Sequence, residues 1–166
     1  ASLALTTMEV LKNEIPVSME ELKAGIRNTR WQGRMETILP GVIVDGAHNE
    51  DGVRRFVETA ERFQEEYPLT LLFSAVNDKD YQDMIHTICS RIHFRKVVTT
   101  EVGGYREVPS AELAEIFRKE GCEEVGNSDN IEEAFHMACE AKGEDGMLFC
   151  VGSLYLVGEI KALLQK

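Results

Sequence analysis

Three polar residues, Asp45, His48 and Asn49, lie close together in segment 42–49, which reads VIVDGAHN. Three β-branched apolar residues precede them and a helical pattern begins just beyond, so the segment predicts a buried strand, a tight turn and a helix. In open α/β sheets, ligands bind at the carboxyl ends of the strands. An acid, an imidazole and an amide delivered together at such a point form a candidate binding site.

The same residues also have a structural and a catalytic interpretation. Short polar residues between a strand and a helix commonly form the turn and cap the helix. Asp45, His48 and Ser153 could be imagined as a nucleophilic triad, but the chain has no G-x-S-x-G elbow. An acid and a histidine three residues apart on one turn are also poorly placed for orienting the histidine toward a distant serine. We therefore do not favour the triad.

Nucleotide binding is a further possibility. The chain contains no G-x-x-x-x-G-K-[ST] loop and no G-x-G-x-x-G after a strand, so it lacks a phosphate cradle of its own. Arg34 and Asp45 could still contact a nucleotide that is cradled elsewhere. Arg34 would serve as a cation for phosphate, and Asp45 would accept from ribose hydroxyls.

An alternation of strands and helices must position these residues. The turn dipeptide Pro40-Gly41 joins an alternating segment, 35–39, to strand 42–45, which predicts a hairpin and an antiparallel first strand. Further strands are predicted at 69–76, 96–100 and 147–151, and a short one near 123–125. Amphipathic segments predict helices at 50–66, 80–92, 110–120, 131–142 and 154–165. The expected fold is α/β, with a mostly parallel, mixed sheet covered by helices on both faces.

Right-handed crossovers bring every strand-to-helix loop of such a sheet to one edge. The loops at 46–49, 77–80, 101–106 and 152–153 should therefore lie together. They and the strand ends carry most of the conspicuous polar residues: Asp45, His48, Asn49, Asn77, Asp78, Lys79, Asp80, Arg106 and Ser153. Their convergence predicts a ligand site at this edge.

The net charge and the lengths of the apolar segments argue against several classes of partner. A net charge of -11 and a pI near 4.8 argue against nucleic acid and against an anionic membrane surface. No apolar stretch approaches the roughly 20 residues that a membrane span requires.

Four cysteines without a C-x-x-C spacing indicate reduced thiols in a cytoplasmic protein. Two H-x-x-C pairs, His86 with Cys89 and His136 with Cys139, could hold a metal, but nothing in the sequence brings them together, so no metal site is predicted.

Residues 1–30 have a different pattern. An apolar helical stripe runs to Pro16, and Ser18 with Glu21 predicts a capping box for a second short helix. Two short helices without a sheet of their own are expected to be the end of an upstream domain and its linker. Residues 31–166 are expected to form the α/β domain.

Four motifs carry a resemblance to a known family: WQGR at 31–34, DGAHN at 45–49, the segment 77–80 that ends in Lys79-Asp80, and GSLYLVGE at 152–159. In their order and spacing they resemble the carboxy-terminal domain of folylpolyglutamate synthase/dihydrofolate synthase, within the Mur ligase superfamily. The resemblance covers the whole chain. Residues 1–30 are similar to the end of that family's ATPase domain and the interdomain linker.

The resemblance implies an ATP-dependent amide ligase of folate metabolism. In that family ATP phosphorylates a carboxylate of a pteroate or folate, and the amino group of glutamate attacks the acyl phosphate. The amino-terminal domain, which would be this domain's partner, supplies the P-loop, most Mg²⁺ ligands and the pterin pocket. Because that pocket lies outside the chain, the choice between dihydropteroate and folate stays open.

Residue roles follow from the same resemblance. Arg34 would meet ATP phosphates, Asp45 would bind the nucleotide ribose, and His48 and Ser153 would hold the incoming glutamate. Two further assignments are weaker: Asn49 has helix capping as its alternative role, and Lys79 has pairing with Asp78 or Asp80. The resemblance gives this domain neither a catalytic residue nor a metal ligand.

Two charge-assisted contacts, from Arg34 and Asp45, would contribute on the order of 3–6 kcal/mol. Association costs about 4–15 kcal/mol. The chain alone is therefore expected to bind ATP and glutamate weakly and to catalyse nothing. The alternative is a stand-alone doubly wound module that binds a ligand or has a regulatory role, without chemistry of its own. The sequence upstream of Ala1 would distinguish this module from a ligase domain.

Overall fold

The computed structural model describes residues 2–29 and 31–165, so positions 1, 30 and 166 of the predicted segments lie outside the described residues. The chain divides into two compact units between Gln32 and Gly33. The first contains helices α1 (Ser2–Leu11) and α2 (Met19–Asn28). The hydroxyl of Ser18 accepts from the backbone N–H of Glu21, whose carboxylate accepts from the N–H of Ser18. The predicted capping box is confirmed.

The second unit is an α/β sandwich. Its strands are β1 (Glu36–Leu39), β2 (Val42–Asp45), β3 (Leu69–Phe73), β4 (Phe94–Thr99), β5 (Val125–Asn127) and β6 (Met147–Val151). Its helices are α3 (Glu50–Ala60), α4 (Tyr81–Cys89), α5 (Ser110–Lys119), α6 (Ile131–Lys142) and α7 (Leu154–Leu163).

Among the described residues, these strands form one sheet in the order β1-β2-β6-β3-β4-β5. All neighbours are parallel except β1, which pairs antiparallel with β2, as the Pro40-Gly41 turn predicted. The last strand, β6, inserts between β2 and β3. Val151 is therefore in register with Asp45 on one side and with Phe73 on the other.

Helices cover both faces of the sheet, as expected. One core cluster joins β3 to α3, α4 and α5 through Phe56, Phe73, Ile85 and Phe117. The other joins the opposite face of the sheet, which includes Leu72, to α6 and α7. Strands β2, β3 and β6 are almost fully buried because both faces are packed, which explains their continuous apolar sequences.

Several boundaries differ from the prediction. Helix α3 ends at Ala60 rather than near 66, and a separate 3-10 turn, Phe63–Glu65, follows. The ring of Phe63 packs edge-to-face on Phe149 at 5.6 Å, a position gained after the helix has ended. The predicted strand 69–76 ends at Phe73, and Val76 instead forms an isolated bridge with Glu107. The short strand expected at 123–125 lies at Val125–Asn127.

No helix within residues 2–29 and 31–165 combines the length and apolar character needed to cross a membrane.

Candidate functional site

The predicted edge exists at the carboxyl ends of β2, β6, β3 and β4. The backbone N–H of Gly152, after β6, donates to the carbonyl of Ala47, after β2, at 3.0 Å. On the other side of β6, the N–H of Ser74 donates to the carbonyl of Val151 at 3.3 Å. Hydrogen bonds thus join the turns that carry Asp45, His48 and Ser153 into one surface.

Asp45 is buried, with 5% of its surface exposed, and its carboxylate organises two turns. Oδ2 accepts from the backbone N–H of Met35 and Oδ1 from that of Ala47, both at 2.8 Å. Burial raises the pKa of Asp45, although these two hydrogen bonds and the charge of Arg34 oppose the rise. Each carboxylate oxygen keeps a second lone pair, so Asp45 can also accept from a ligand hydroxyl.

Arg34 lies in the turn 33–35, which directly precedes β1. Gly33 and Met35 have φ values of 68° and 41°, and a left-handed conformation is uncommon for a residue other than glycine. The N–H of Gly46 donates to the carbonyl of Gly33 at 2.6 Å, which ties the turn to the end of β2. The side chain of Arg34 is exposed beside this junction.

His48 is half-buried in the turn after β2. Its Nδ1 lies 2.7 Å from the carbonyl oxygen of Gly46. Because a carbonyl oxygen only accepts, Nδ1 must carry the proton in this contact, and the neutral ring keeps a lone pair on Nε2. In its neutral form His48 can therefore offer a ligand an acceptor at Nε2.

Ser153 is the N-cap of α7, and only 2% of its surface is exposed. Its Oγ accepts from the backbone N–H of Tyr155 at 3.1 Å, so the hydroxyl proton stays free to donate. A catalytic triad requires hydrogen bonds between its side chains. Here the side chains of Asp45, His48 and Ser153 bond to nearby backbone groups instead. The triad that the sequence disfavoured is absent among these three described side chains.

The two weaker sequence assignments have different outcomes. Asn49 caps α3, because its Oδ1 accepts from the N–H of Gly52 at 2.8 Å. Lys79 pairs with neither neighbouring acid in the part of the chain that the structure describes. Asp78 pairs instead with Arg106 at 3.0 Å, and Asp80 caps α4 through the N–H of Asp83. The capping alternative for Asn49 is thus confirmed, and the pairing alternative for Lys79 is wrong.

Two long-range side-chain contacts at this edge have no local sequence signal. Arg106 bonds Asp78 and also donates through Nη2 to the hydroxyl of Tyr155 at 2.8 Å, which links the loop after β4 to the first turn of α7. Lys161, on α7, pairs with Glu36, at the start of β1, at 2.8 Å. The sequence identified Arg106 as an edge residue but not its partners, and it did not identify Glu36 or Lys161.

Within residues 2–29 and 31–165, no group of three or more His, Cys, Asp or Glu side chains could hold a metal ion. The two H-x-x-C pairs lie on α4 and α6, which cover opposite faces of the sheet. Cys89 instead meets Cys122, with a distance of 3.6 Å between the sulfur atoms.

Residues 33–154 match the family model described as Mur ligase, glutamate ligase domain. The chain is 31% identical to the dihydrofolate synthase/folylpolyglutamate synthase of Bacillus subtilis over 99% of its own length, and it spans 38% of that relative. The fold is similar to that of E. coli FolC in complex with DHPP and ADP, with a TM-score of 0.84 and 18% identity over 98% of this chain and 38% of that one. It is also similar to the bifunctional folylpolyglutamate synthase/dihydrofolate synthase of Yersinia pestis complexed with AMPPNP and a Mn ion, with a TM-score of 0.79 and 22% identity over 92% of this chain and 36% of the other.

Proposed function

Because the chain belongs to the Mur ligase family of glutamate ligase domains, we propose that it is the carboxy-terminal domain of an ATP-dependent ligase. The ligase adds L-glutamate to a folate, to dihydropteroate or to both. The match to a relative of which the chain spans 38% supports a role as one part of a larger enzyme. Residues 1–30 are then the end of the upstream ATPase domain and its linker.

The reaction has two steps. The γ-phosphoryl group of ATP passes to a carboxylate oxygen of the pteroate or folate, which gives an acyl phosphate and ADP. The amino nitrogen of glutamate then attacks the acyl carbon, the C–O bond to phosphate breaks, and an amide, inorganic phosphate and a proton are released. Holding the reactants together raises the rate of each step, with effective molarities of about 10⁵–10⁸ M in well-oriented cases.

Arg34 and Asp45 are the proposed nucleotide contacts. Arg34 is exposed on a turn tied to the end of β2, where its guanidinium can bind phosphate oxygens. Asp45 has unused lone pairs for ribose hydroxyls while its bonds to Met35 and Ala47 hold it in place. Closure of this domain over the nucleotide also shields the acyl phosphate from water.

His48 and Ser153 are the proposed glutamate contacts. Nε2 of neutral His48 can accept from the amino group of glutamate, and the Ser153 hydroxyl can donate to a carboxylate at the N-terminus of α7. The observation that carries the proposal is the Gly152 to Ala47 hydrogen bond of 3.0 Å, which brings the His48 and Ser153 turns together. Lys79 is a weaker candidate contact at this site.

The chain has no metal ligand set among its described residues, so we assign Mg²⁺ to the upstream domain. The Mn ion in the Yersinia pestis complex supports a divalent metal in the reaction. We place the enzyme in the cytoplasm, where its four cysteines stay reduced. A stand-alone binding module is not favoured, because the family match spans residues 33–154.

Oxygen-isotope transfer in the full-length enzyme tests the proposal. Dihydropteroate, or a folate, with ¹⁸O in the reacting carboxylate is incubated with MgATP and glutamate. We expect glutamate-dependent formation of amide product, and one ¹⁸O atom per turnover in the released phosphate. ATP hydrolysis without amide product, or amide product with unlabelled phosphate, would overturn the proposed reaction.

A further inference from the structure

The turn that carries Arg34 is held in an unusual conformation. Gly33 and Met35 both have positive φ, and Met35 does so at 41° with a full side chain. Two bonds to the end of β2 hold this turn: the Gly46 N–H donates to Gly33, and the Met35 N–H donates to Asp45. Conformations of this kind persist only where the surroundings hold them.

Glu36 holds the same turn from the other side. Its Oε2 accepts from the backbone N–H of Gly33 at 2.6 Å, across the position of Arg34. Both oxygens of Glu36 also accept from Nζ of Lys161, at 2.8 and 3.0 Å. Glu36 is thus shared between the turn and helix α7.

The Glu36–Lys161 pair differs from an ordinary surface ion pair. The side chains are 29% and 24% exposed, and 125 positions separate them. The bond to Lys161 is the first of several causes that hold the pKa of Glu36 below its ordinary value. Helix α7 also packs on the turn directly, because a Cβ at Gly33 would lie 3.2 Å from Cγ1 of Val157.

We propose that Glu36 and Lys161 are positioning residues for Arg34. Glu36 fixes the backbone of Gly33, just before Arg34, and Lys161 fixes Glu36 to the helix that Ser153 caps. The pair thereby connects the nucleotide contact to the helix that carries the glutamate contact. This inference rests on the proposed function, since it takes Arg34 as a contact for ATP phosphates.

Steady-state kinetics of the full-length enzyme test the pair. Glu36→Gln places an amide N–H₂ where a carboxylate oxygen accepts, and Lys161→Met keeps the length of the side chain without its charge. We expect each to raise the KM for ATP about five- to tenfold while kcat and the KM for glutamate change less than about twofold. Lys161→Arg retains the ion pair and should restore the ATP KM. If Glu36→Gln fails to fold, Lys161→Met carries the test alone, because it leaves the Glu36 to Gly33 bond intact.

A double variant separates positioning from general stability. If Glu36 acts through Arg34, Glu36→Gln has no further effect on the ATP KM in an Arg34→Ala background. The same fold increase in both backgrounds would overturn the proposal. Asp145→Asn is the matched control, because it breaks an exposed ion pair with Arg95, at 3.1 Å, and should leave the ATP KM unchanged.

The Arg34→Ala variant distinguishes a wrong positioning role of Glu36 and Lys161 from a wrong nucleotide role of Arg34. If Arg34→Ala raises the ATP KM while Glu36→Gln and Lys161→Met do not, only the positioning role is wrong. If Arg34→Ala itself leaves the ATP KM unchanged, the nucleotide role of Arg34 is wrong and the positioning role falls with it.

Discussion

The carboxylate of Asp45 accepts a hydrogen bond of 2.8 Å from the backbone N–H of Met35, a residue with a φ of 41°. Asp45 therefore helps to hold the Arg34 turn in addition to its proposed contact with ribose. Asp45→Ala removes this bond and the one to Ala47. We expect the free energy of unfolding to fall by about 2–4 kcal/mol, measured by urea unfolding of this chain, and the ATP KM of the full-length enzyme to rise.

Asp80→Ala is the matched control for Asp45→Ala. Asp80 is also a carboxylate at the carboxyl edge of the sheet, but it caps α4 through the N–H of Asp83 at 3.1 Å. Its loss should lower the free energy of unfolding by about 1 kcal/mol and leave the ATP KM unchanged. An unchanged ATP KM in Asp45→Ala would reject the ribose contact.

The second prediction concerns how the free energy of unfolding depends on pH, and it follows from the raised pKa of Asp45. Burial is its main cause, and the ordinary value is 3.8. Below that value the acid is protonated in both states. As the pH rises through the raised folded-state pKa, the folded protein loses stability, because ionised Asp45 is better solvated in the unfolded chain.

Asp45→Asn removes this titration. The free energy of unfolding of wild type minus that of Asp45→Asn should therefore decrease as the pH rises from about 4, and become constant once Asp45 is ionised in both states. Urea unfolding of the two chains between pH 3.5 and 7 measures this difference. A difference that increases with pH would mean that the two backbone bonds outweigh burial.

Gly152 makes the close approach between β6 and β3 possible. Its φ is 108°, and a Cβ would lie 2.2 Å from the carbonyl oxygen of Ser74. Because that atom belongs to the backbone of a buried segment, Gly152→Ala should destabilise the chain by about 3–5 kcal/mol. Gly158→Ala is the control, since Gly158 lies in α7 with nothing within 4 Å of its Cβ position. It should stabilise the chain by about 0.5–1 kcal/mol, and thermal unfolding compares the two.

The sequence predicted the architecture and the meeting of the strand-to-helix loops at one edge well, because both depend on local patterns. Continuous apolar strands such as Met147–Val151, followed by amphipathic helices, imply a parallel sheet. Parallel strands in turn place Asp45 and Ser153 at the same edge. Strand order depends on pairing between distant segments, so the insertion of β6 between β2 and β3 was not predicted.

The supporting contacts of the site could not be predicted, for the same reason. Glu36 and Lys161 are ordinary charged residues in their own segments, and only the fold brings them to 2.8 Å. The left-handed conformation of Met35 also has no signal, because methionine does not favour it. The edge-to-face contact of Phe63 with Phe149, formed after α3 ends at Ala60, likewise joins distant segments.

The fourth prediction concerns the proposed glutamate contacts, His48 and Ser153. His48→Ala and Ser153→Ala should raise the KM for glutamate in the full-length enzyme about tenfold or more, with the ATP KM little changed. Ser153→Ala also removes the cap of α7, which should lower the free energy of unfolding by about 1 kcal/mol.

Asn130→Ala separates these two effects of Ser153. Asn130 caps α6 in the same manner, because its Oδ1 accepts from the N–H of Glu133 at 3.0 Å. This variant should lose as much stability as Ser153→Ala and keep the glutamate KM of the wild type. Equal glutamate KM values in Ser153→Ala and Asn130→Ala would reduce Ser153 to a helix cap.

The last prediction concerns the chain by itself. Its proposed nucleotide contacts are one exposed arginine and one buried carboxylate, which together contribute on the order of 3–6 kcal/mol. Association costs about 4–15 kcal/mol, so little or no net binding energy remains without the upstream domain. Isothermal titration calorimetry of this chain with MgATP should therefore give no dissociation constant tighter than about 1 mM. A micromolar value would show that the chain holds a complete nucleotide site, and the division of the site between two domains would have to be abandoned.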